Sequence, residues 1–224
     1  MNPVVAKVVS YICVFLAVMI VLPFHEFAHA FAAVKCGDDT PRVNGRYSLN
    51  PFAHFDVVGL VCFVLVGFGW AKPVPINPYN FRNYKRGLVW VSVAGVLTNL
   101  ILAFIVYPMY RLSMFLPDLA LFDDVLQNTL RLVFQLNLTF CVFNLLPFYP
   151  LDGFRIIDAT VNHSNPVYRF LRNYGQYVLL ALIVLSFIAS WIPQLAFLDV
   201  LGLVIGKGAY YLGLPIELLW GVIF

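Results

Sequence analysis

Residues 22–34 read LPFHEFAHAFAAV, an almost wholly apolar stretch that places two histidines and one glutamate within five positions. The apolar run around it extends from about residue 4 to residue 34. Such a run is longer than the roughly 20 residues that a helix needs to cross the hydrocarbon of a bilayer. The stretch therefore predicts a membrane-embedded helix that carries ionisable side chains.

The composition of the whole chain agrees with a membrane location. Of its 224 residues, 62% are hydrophobic and 11% are charged, whereas a soluble domain has roughly 45–50% apolar and about 25% charged residues. So few charged side chains cannot cover a surface that faces water. The composition excludes a disordered chain, a nucleic-acid-binding protein and a disulfide-rich secreted module, and it makes the lipid bilayer an expected partner.

Further apolar runs predict the rest of the architecture. Four of them are long enough to span a membrane, and they cover about residues 88–110, 125–148, 174–192 and 198–222. Another run, residues 57–68, is too short to span. The sequence predicts an all-α polytopic membrane protein with five transmembrane helices and one re-entrant, hairpin-like segment.

The distribution of basic residues decides between re-entry and a full crossing of residues 57–68. If the segment re-enters, residues 35–87 and 150–173 lie on one face, and the acidic loop with Asp118, Asp123 and Asp124 lies on the other. Cytoplasmic loops are enriched in lysine and arginine, so this arrangement predicts an outer N-terminus and an inner C-terminus. The basic residues then collected on the inner face are Lys35, Arg42, Arg46, Lys72, Arg82, Lys85, Arg86, Arg155, Arg169 and Arg172.

His25, Glu26 and His29 form an HExxH pattern within the first helix. Residues four apart share a helix face, so both imidazoles can bind one metal ion while Glu26 takes a proton from a bound water. The alternative is a pair of packed histidines. That alternative is disfavoured because one ionisable residue within a span costs about 2.5–3.5 kcal/mol on insertion scales.

A catalytic zinc site has three protein ligands and one open position, so a third ligand is required. Asp152 is the best candidate, because it lies in NLLPFYPLDG, residues 144–153, where one predicted span reaches the inner face. Pro147 and Pro150 break the helix there, and irregular backbone at membrane depth is tolerated where it lines a cavity. Asp152 could instead cap a short helix at residues 154–160, and Asp158 is the reserve ligand.

These patterns resemble those of the site-2 proteases, the intramembrane zinc metalloproteases. The HExxH helix followed by residues 144–153 is similar to the HExxH and NxxPxxxLDG motifs of that family. Residues 49–56, LNPFAHFD, and residues 68–78, FGWAKPVPINP, resemble the short prokaryotic branch that lacks PDZ and CBS domains. The resemblance covers roughly residues 20–160.

The resemblance implies a role for each matching residue. One zinc ion per chain is held by His25, His29 and Asp152, Glu26 activates water, and Asn144 assists the transition state. It also implies cleavage of a transmembrane protein or peptide substrate, in regulated intramembrane proteolysis. The expected location is a prokaryotic inner membrane, with the zinc site inside the bundle towards the cytoplasmic side.

A single membrane-embedded peptidase domain is expected over residues 1–224, with a catalytic core at about 4–160 and accessory helices at about 174–222. Residues 73–78, which are rich in proline, are expected to offer extended backbone to an unwound substrate.

Two further residues have open roles. Asn99 is either a second catalytic group or an asparagine that hydrogen-bonds between packed helices. His54 either assists the oxyanion, or contacts substrate, or is an ordinary loop histidine.

Two alternative functions also remain. One is a non-catalytic metal transporter or scaffold that uses the same ligands, and the other is a prenyl-protein or other membrane metalloprotease with a different third ligand. The oligomeric state is not determined by the sequence.

Overall fold

The computed structural model describes residues 2–115 and 121–223, and these residues are mostly α-helical, with no β-strand among them. Asp118, which the charge argument places on the outer face, lies outside the described residues. The α-helices are α1 (Pro3–Cys36), α2 (Thr40–Val43), α3 (Val57–Val66), α4 (Tyr84–Ser113), α5 (Leu121–Asn144), α6 (Asp152–Thr160), α7 (Pro166–Trp191) and α8 (Val200–Gly221). Short 3-10 helices occur at Pro51–Ala53, Pro78–Asn80 and Pro193–Leu198.

Three long helices, α1, α4 and α5, form the centre of the bundle. Each packs against the other two, and Ala17, Val21, Val106 and Val133 form a buried cluster where they meet. Small and β-branched side chains allow the backbones of membrane helices to approach closely.

Local capping sets the ends of these helices. The side chain of Asn83 accepts a hydrogen bond from the Arg86 N–H at the start of α4, which satisfies one of the free donors of the first turn. α1 ends at Gly37, whose φ of 111° is left-handed and is strongly disfavoured for a side chain with a Cβ atom. The chain therefore turns sharply after α1, and the Asp38 N–H donates to the Ala33 carbonyl oxygen in the last turn of that helix.

The segment that follows α1 and the short helix α6 lie at the same end of the bundle. Ala33 near the end of α1, Phe81 and Leu88 at the start of α4, and Ala159 on α6 form one buried cluster. The basic stretches predicted to share a face are therefore adjacent in the folded chain.

Residues 55–71 form a hairpin around α3. Phe55 and Ala71 pair in an isolated antiparallel bridge, so the chain leaves and returns at one place. The chain that returns from α3 passes close to the start of that helix, since a Cβ atom on Gly59 would lie 2.1 Å from the Trp70 carbonyl oxygen. The short apolar run is thus a ten-residue helix, about 15 Å long.

Among the described residues, three helices are long and apolar enough to cross a membrane, namely α1, α4 and α7. α5 and α8 form close to the predicted positions but are not among these three. α8 packs on α5 through glycines, since a Cβ atom on Gly213 would meet Leu138 at 2.8 Å. α7 is largely exposed along its length.

Candidate metal centre

His25 and His29 project from one face of α1, and their Nε2 atoms are 3.0 Å apart. The Nδ1 atom of His29 lies 2.7 Å from the Val91 carbonyl oxygen of α4. A carbonyl can only accept, so the proton of the neutral ring is on Nδ1 and Nε2 carries the lone pair. This second contact orients the ring in the way that supporting hydrogen bonds orient metal-ligating histidines.

Asp152 reaches the same point from the first residue of α6. Its Oδ2 atom lies 3.1 Å from His29 Nε2 and 3.6 Å from His25 Nε2. The turn before it is tight, because a Cβ atom on Gly153 would lie 2.3 Å from the Leu145 carbonyl oxygen. A residue without a side chain is therefore required directly after Asp152.

The three donors fit a divalent metal ion. One ligand atom from each residue lies within 4.8 Å of the others, and zinc bonds of about 2.0–2.1 Å in a tetrahedron imply ligand separations of about 3.3 Å. The Asp152 Oδ2 atom is buried and has no hydrogen-bond partner in the described part of the chain. A buried carboxylate oxygen without a partner is costly, and a cation between the three side chains removes that cost.

Glu26 lines the cavity next to these donors. The cavity has a volume of about 130 Å³, and the Val74 N–H donates to Glu26 Oε2 at 3.3 Å. The carboxylate is therefore held at the cavity wall by the backbone of the segment opposite. The described residues that line it are His25, Glu26, His29, Pro73, Val74, Ile76, Asn144, Pro150, Leu151, Asp152 and Arg155.

Asn144, the last residue of α5, also lines the cavity. Its Nδ2 atom donates to the Phe140 carbonyl oxygen at 3.1 Å. An amide nitrogen carries two hydrogens, so one remains for a group bound in the cavity.

Two predicted site residues do not line the cavity. Asn99 lies one helical turn beyond Gly95, is fully buried, and has no hydrogen-bond partner for either amide atom among the described residues. His54 is also fully buried, and its Nε2–H donates to the Ser48 carbonyl oxygen at 2.7 Å. Its own carbonyl accepts from Lys72 N–H, so His54 joins the two ends of the α3 hairpin.

The structure does not show Asp152 as a helix cap or Asp158 as a ligand at the cavity. Asp152 begins α6 without a side-chain capping bond, and Leu151 occupies the cap position. Asp158 accepts hydrogen bonds from Tyr168 and Arg172 of α7, away from the cavity.

Sequence reasoning missed Arg155, which lines the cavity and places Nη1 3.7 Å from Asp152 Oδ1. Its position three residues after Asp152 on a helix was an available signal, because such residues share a face.

The chain is similar to known proteins over much of its length. The pattern of peptidase family M50 matches residues 112–186, which include α6 and Asp152. YwhC of Bacillus subtilis (strain 168), which bears the name of a putative zinc metalloprotease, is 42% identical over 151 residues, covering 66% of this chain and 69% of YwhC. The chain belongs to peptidase family M50. As a member of this family, that of the site-2 proteases, it is a zinc metalloprotease.

More distant relatives carry a similar name. Rip2 of Mycobacterium tuberculosis is 33% identical over 178 residues, covering 75% of this chain and 63% of Rip2. Rip2 of Mycolicibacterium smegmatis is 27% identical over 201 residues, covering 84% of this chain and 74% of Rip2. Both are also named as putative zinc metalloproteases. No solved structure matches the chain significantly.

Proposed function

We propose that this M50 peptidase cleaves transmembrane segments of membrane proteins within the bilayer, with zinc held by His25, His29 and Asp152. The observation that supports this most strongly is the convergence of these three buried donors with Glu26 on one small cavity. Two of the donors and Glu26 belong to α1, a helix long and apolar enough to span a membrane. A substrate that reaches such a site arrives through the membrane.

The chemistry divides between the metal and the side chains around it. When bound, zinc supplies Lewis acidity that lowers the pKa of a coordinated water and polarises the scissile carbonyl. Glu26 takes a proton from the attacking water and returns it to the amine that leaves. Asn144 donates its second amide hydrogen to the carbonyl oxygen as negative charge develops there.

Residues 73–76 are proposed to bind the unwound substrate as an adjacent strand. Val74 and Ile76 line the cavity, and alternate residues of an extended chain point their N–H groups to the same side. Pro73 and Pro75 have no N–H, so Val74 and Ile76 carry the backbone donors of residues 73–76. Replacing Ile76 with proline is expected to reduce cleavage with zinc content unchanged, and unchanged cleavage would contradict this role.

The membrane arrangement is proposed to be five spans, α1, α4, α5, α7 and α8, with α3 re-entering from the inner face. The adjacency of Phe55 and Ala71 supports re-entry, as does the clustering of Ala33, Phe81 and Ala159 at one end. The zinc site then lies near the cytoplasmic side of a prokaryotic inner membrane, and residues 1–224 act as one peptidase domain. In the Asn44→Cys and Tyr79→Cys variants, the new cysteine should be labelled only from the inner face. Labelling of either new cysteine from outside would refute the re-entry of α3.

The deciding experiment compares Glu26→Gln and Asp152→Asn with the wild-type chain on a dye-quencher transmembrane peptide. Glu26→Gln should lower cleavage about a thousandfold while zinc content is retained. Asp152→Asn should lower zinc content as well as cleavage. Cleavage by Glu26→Gln at the wild-type rate refutes the mechanism. Zinc uptake into vesicles without any cleavage indicates the transporter instead.

A further inference from the structure

Asp38 is a fully buried carboxylate that joins the end of α1 to the segment lining the cavity. Its Oδ1 atom accepts from Thr40 N–H at 3.1 Å, from Thr40 Oγ1 at 2.5 Å and from Asn80 Nδ2 at 2.8 Å. Its Oδ2 atom accepts from Asn77 N–H at 2.7 Å. One side chain thus ties the loop after α1 to residues 77–80.

These bonds complete a short closed path around the cavity. Glu26 lies on α1, and α1 ends two residues before Asp38. The Asp38 carboxylate accepts from the Asn77 N–H. Val74, three residues before Asn77, donates its N–H to Glu26. A second bond also joins the end of α1 to the segment after residue 80, since the Cys36 carbonyl accepts from the Arg82 N–H at 2.9 Å. The distance between the backbone of residues 73–76 and Glu26 is therefore set through Asp38.

We propose that Asp38 is a positioning residue that holds the substrate-pairing backbone of residues 73–76 at the correct distance from Glu26. This rests on the proposed function of that segment. Asp38 touches neither zinc nor substrate. Its effect falls on how well an extended substrate pairs with the backbone of residues 73–76.

The Asp38→Asn variant tests the role with little change in shape. The Asn77 N–H donates to one carboxylate oxygen, and the Thr40 and Asn80 donors donate to the other. An asparagine replaces one of these two acceptor oxygens with an NH₂ group, which would face a donor and could not accept from it. Either orientation of the amide breaks part of the network. Removing an acceptor from a buried donor carries a larger penalty than the mean value of a hydrogen bond.

Asp39 provides the matched control. It is the adjacent carboxylate, its side chain is 69% exposed, and it pairs only with the exposed Arg42 in the described part of the chain. The Asp39→Asn variant makes the same chemical change without touching residues 77–80.

The experiment measures KM and kcat on a dye-quencher transmembrane peptide, zinc content, and backbone hydrogen exchange of residues 72–80. We expect Asp38→Asn to raise KM about tenfold, to keep kcat within about twofold of wild type, and to retain zinc. Exchange at residues 72, 74 and 77, whose N–H groups are hydrogen-bonded, should accelerate. Asp39→Asn should match the wild-type chain in every measurement.

Wild-type KM and wild-type exchange in Asp38→Asn overturn the proposal, as does loss of zinc or of kcat with KM unchanged. If Asp38→Asn does not fold, Asn80→Ala removes one donor and keeps the carboxylate. It should change KM and exchange in the same direction, and wild-type behaviour there also overturns the proposal. Hydrogen exchange does not depend on cleavage, so failure of the proposed function remains distinguishable.

Discussion

Gly95 of α4 lies directly against His29 of α1, so that a Cβ atom on Gly95 would be 2.6 Å from both Cε1 and Nε2 of the ring. The same atom would be 2.7 Å from Cε1 of His25. Backbone atoms of α4 therefore form one wall of the metal centre. The absence of a side chain at this position gives both imidazoles their room.

Replacing Gly95 with alanine is expected to displace the imidazoles and lower zinc affinity at least about tenfold, the range seen when the groups that support metal ligands are altered. Zinc content after dialysis against a chelator measures the effect. Gly206→Ala in α8 is the control, because a Cβ atom there meets nothing within 4 Å. Alanine favours a helix over glycine by about 1 kcal/mol, so the control should retain zinc and lose no stability. Equal zinc retention by both variants contradicts the prediction.

α7 is expected to stabilise the metal centre through α6. Asp158 of α6 accepts from Tyr168 OH at 2.5 Å and from Arg172 Nη1 at 3.1 Å. Phe154 stacks on the Tyr168 ring at 5.8 Å between centroids. These contacts hold the short helix that begins with Asp152.

Tyr168→Phe keeps the stacked ring and removes the hydroxyl, so α6 should loosen and zinc affinity should fall about fivefold. Zinc competition with a chromophoric chelator measures it. Tyr177→Phe, at an exposed position on the same helix, serves as the comparison and should show no change. A Tyr168→Phe chain that holds zinc as tightly as wild type would show that α7 does not support Asp152.

The hydrogen bonds that hold residues 73–80 in place are expected to weaken at acid pH, because Asp38 becomes protonated there. Burial raises the pKa of this carboxyl, but hydrogen bonds from Thr40, Asn77 and Asn80 outweigh burial and hold the pKa below its ordinary value of 3.8. A group whose folded pKa is lowered stabilises the folded state above its unfolded pKa. That stabilisation is lost as pH falls through the folded pKa.

Protection of residues 72–80 from hydrogen exchange, corrected for the intrinsic rate at each pH, should be constant above about pH 4 and decline below it. The decline should be absent in Asp38→Asn, whose segment is already loosened. Identical pH profiles for the variant and the wild-type chain would assign the acid sensitivity to another group.

Local patterns in the sequence predict several features that the structure shows. The four-residue spacing of His25 and His29 places both on one face of α1, because the period of a helix fixes that relationship. The prolines after Asn144 end α5 and place Asp152 beyond it, since proline cannot continue a helix. The apolar run at residues 57–68 forms a short helix near the predicted bounds.

Other features depend on contacts between distant parts of the chain. Asn99 and His54 are fully buried and are not among the described residues that line the cavity, and such burial depends on the packing of α4 and of the α3 hairpin. Asp158 has the same functional group as Asp152. It lies fewer than two turns further along α6, where its carboxylate accepts a hydrogen bond from Tyr168 of α7. The Val74 N–H is a backbone donor, which no residue type reveals.

Local sequence patterns are enough to show that this chain is helical, that it is too apolar for a water-facing surface, and that its first long helix carries two histidines and a glutamate close together. Helical periodicity and hydropathy are local properties, and each can be read from neighbouring residues. Tertiary packing adds the distance at which the predicted ligand Asp152 meets the histidines, the space that Gly95 leaves them, and the hydrogen bonds from residues 77–80 to Asp38. Those relationships join residues tens of positions apart, and their distances follow from how whole helices and loops pack.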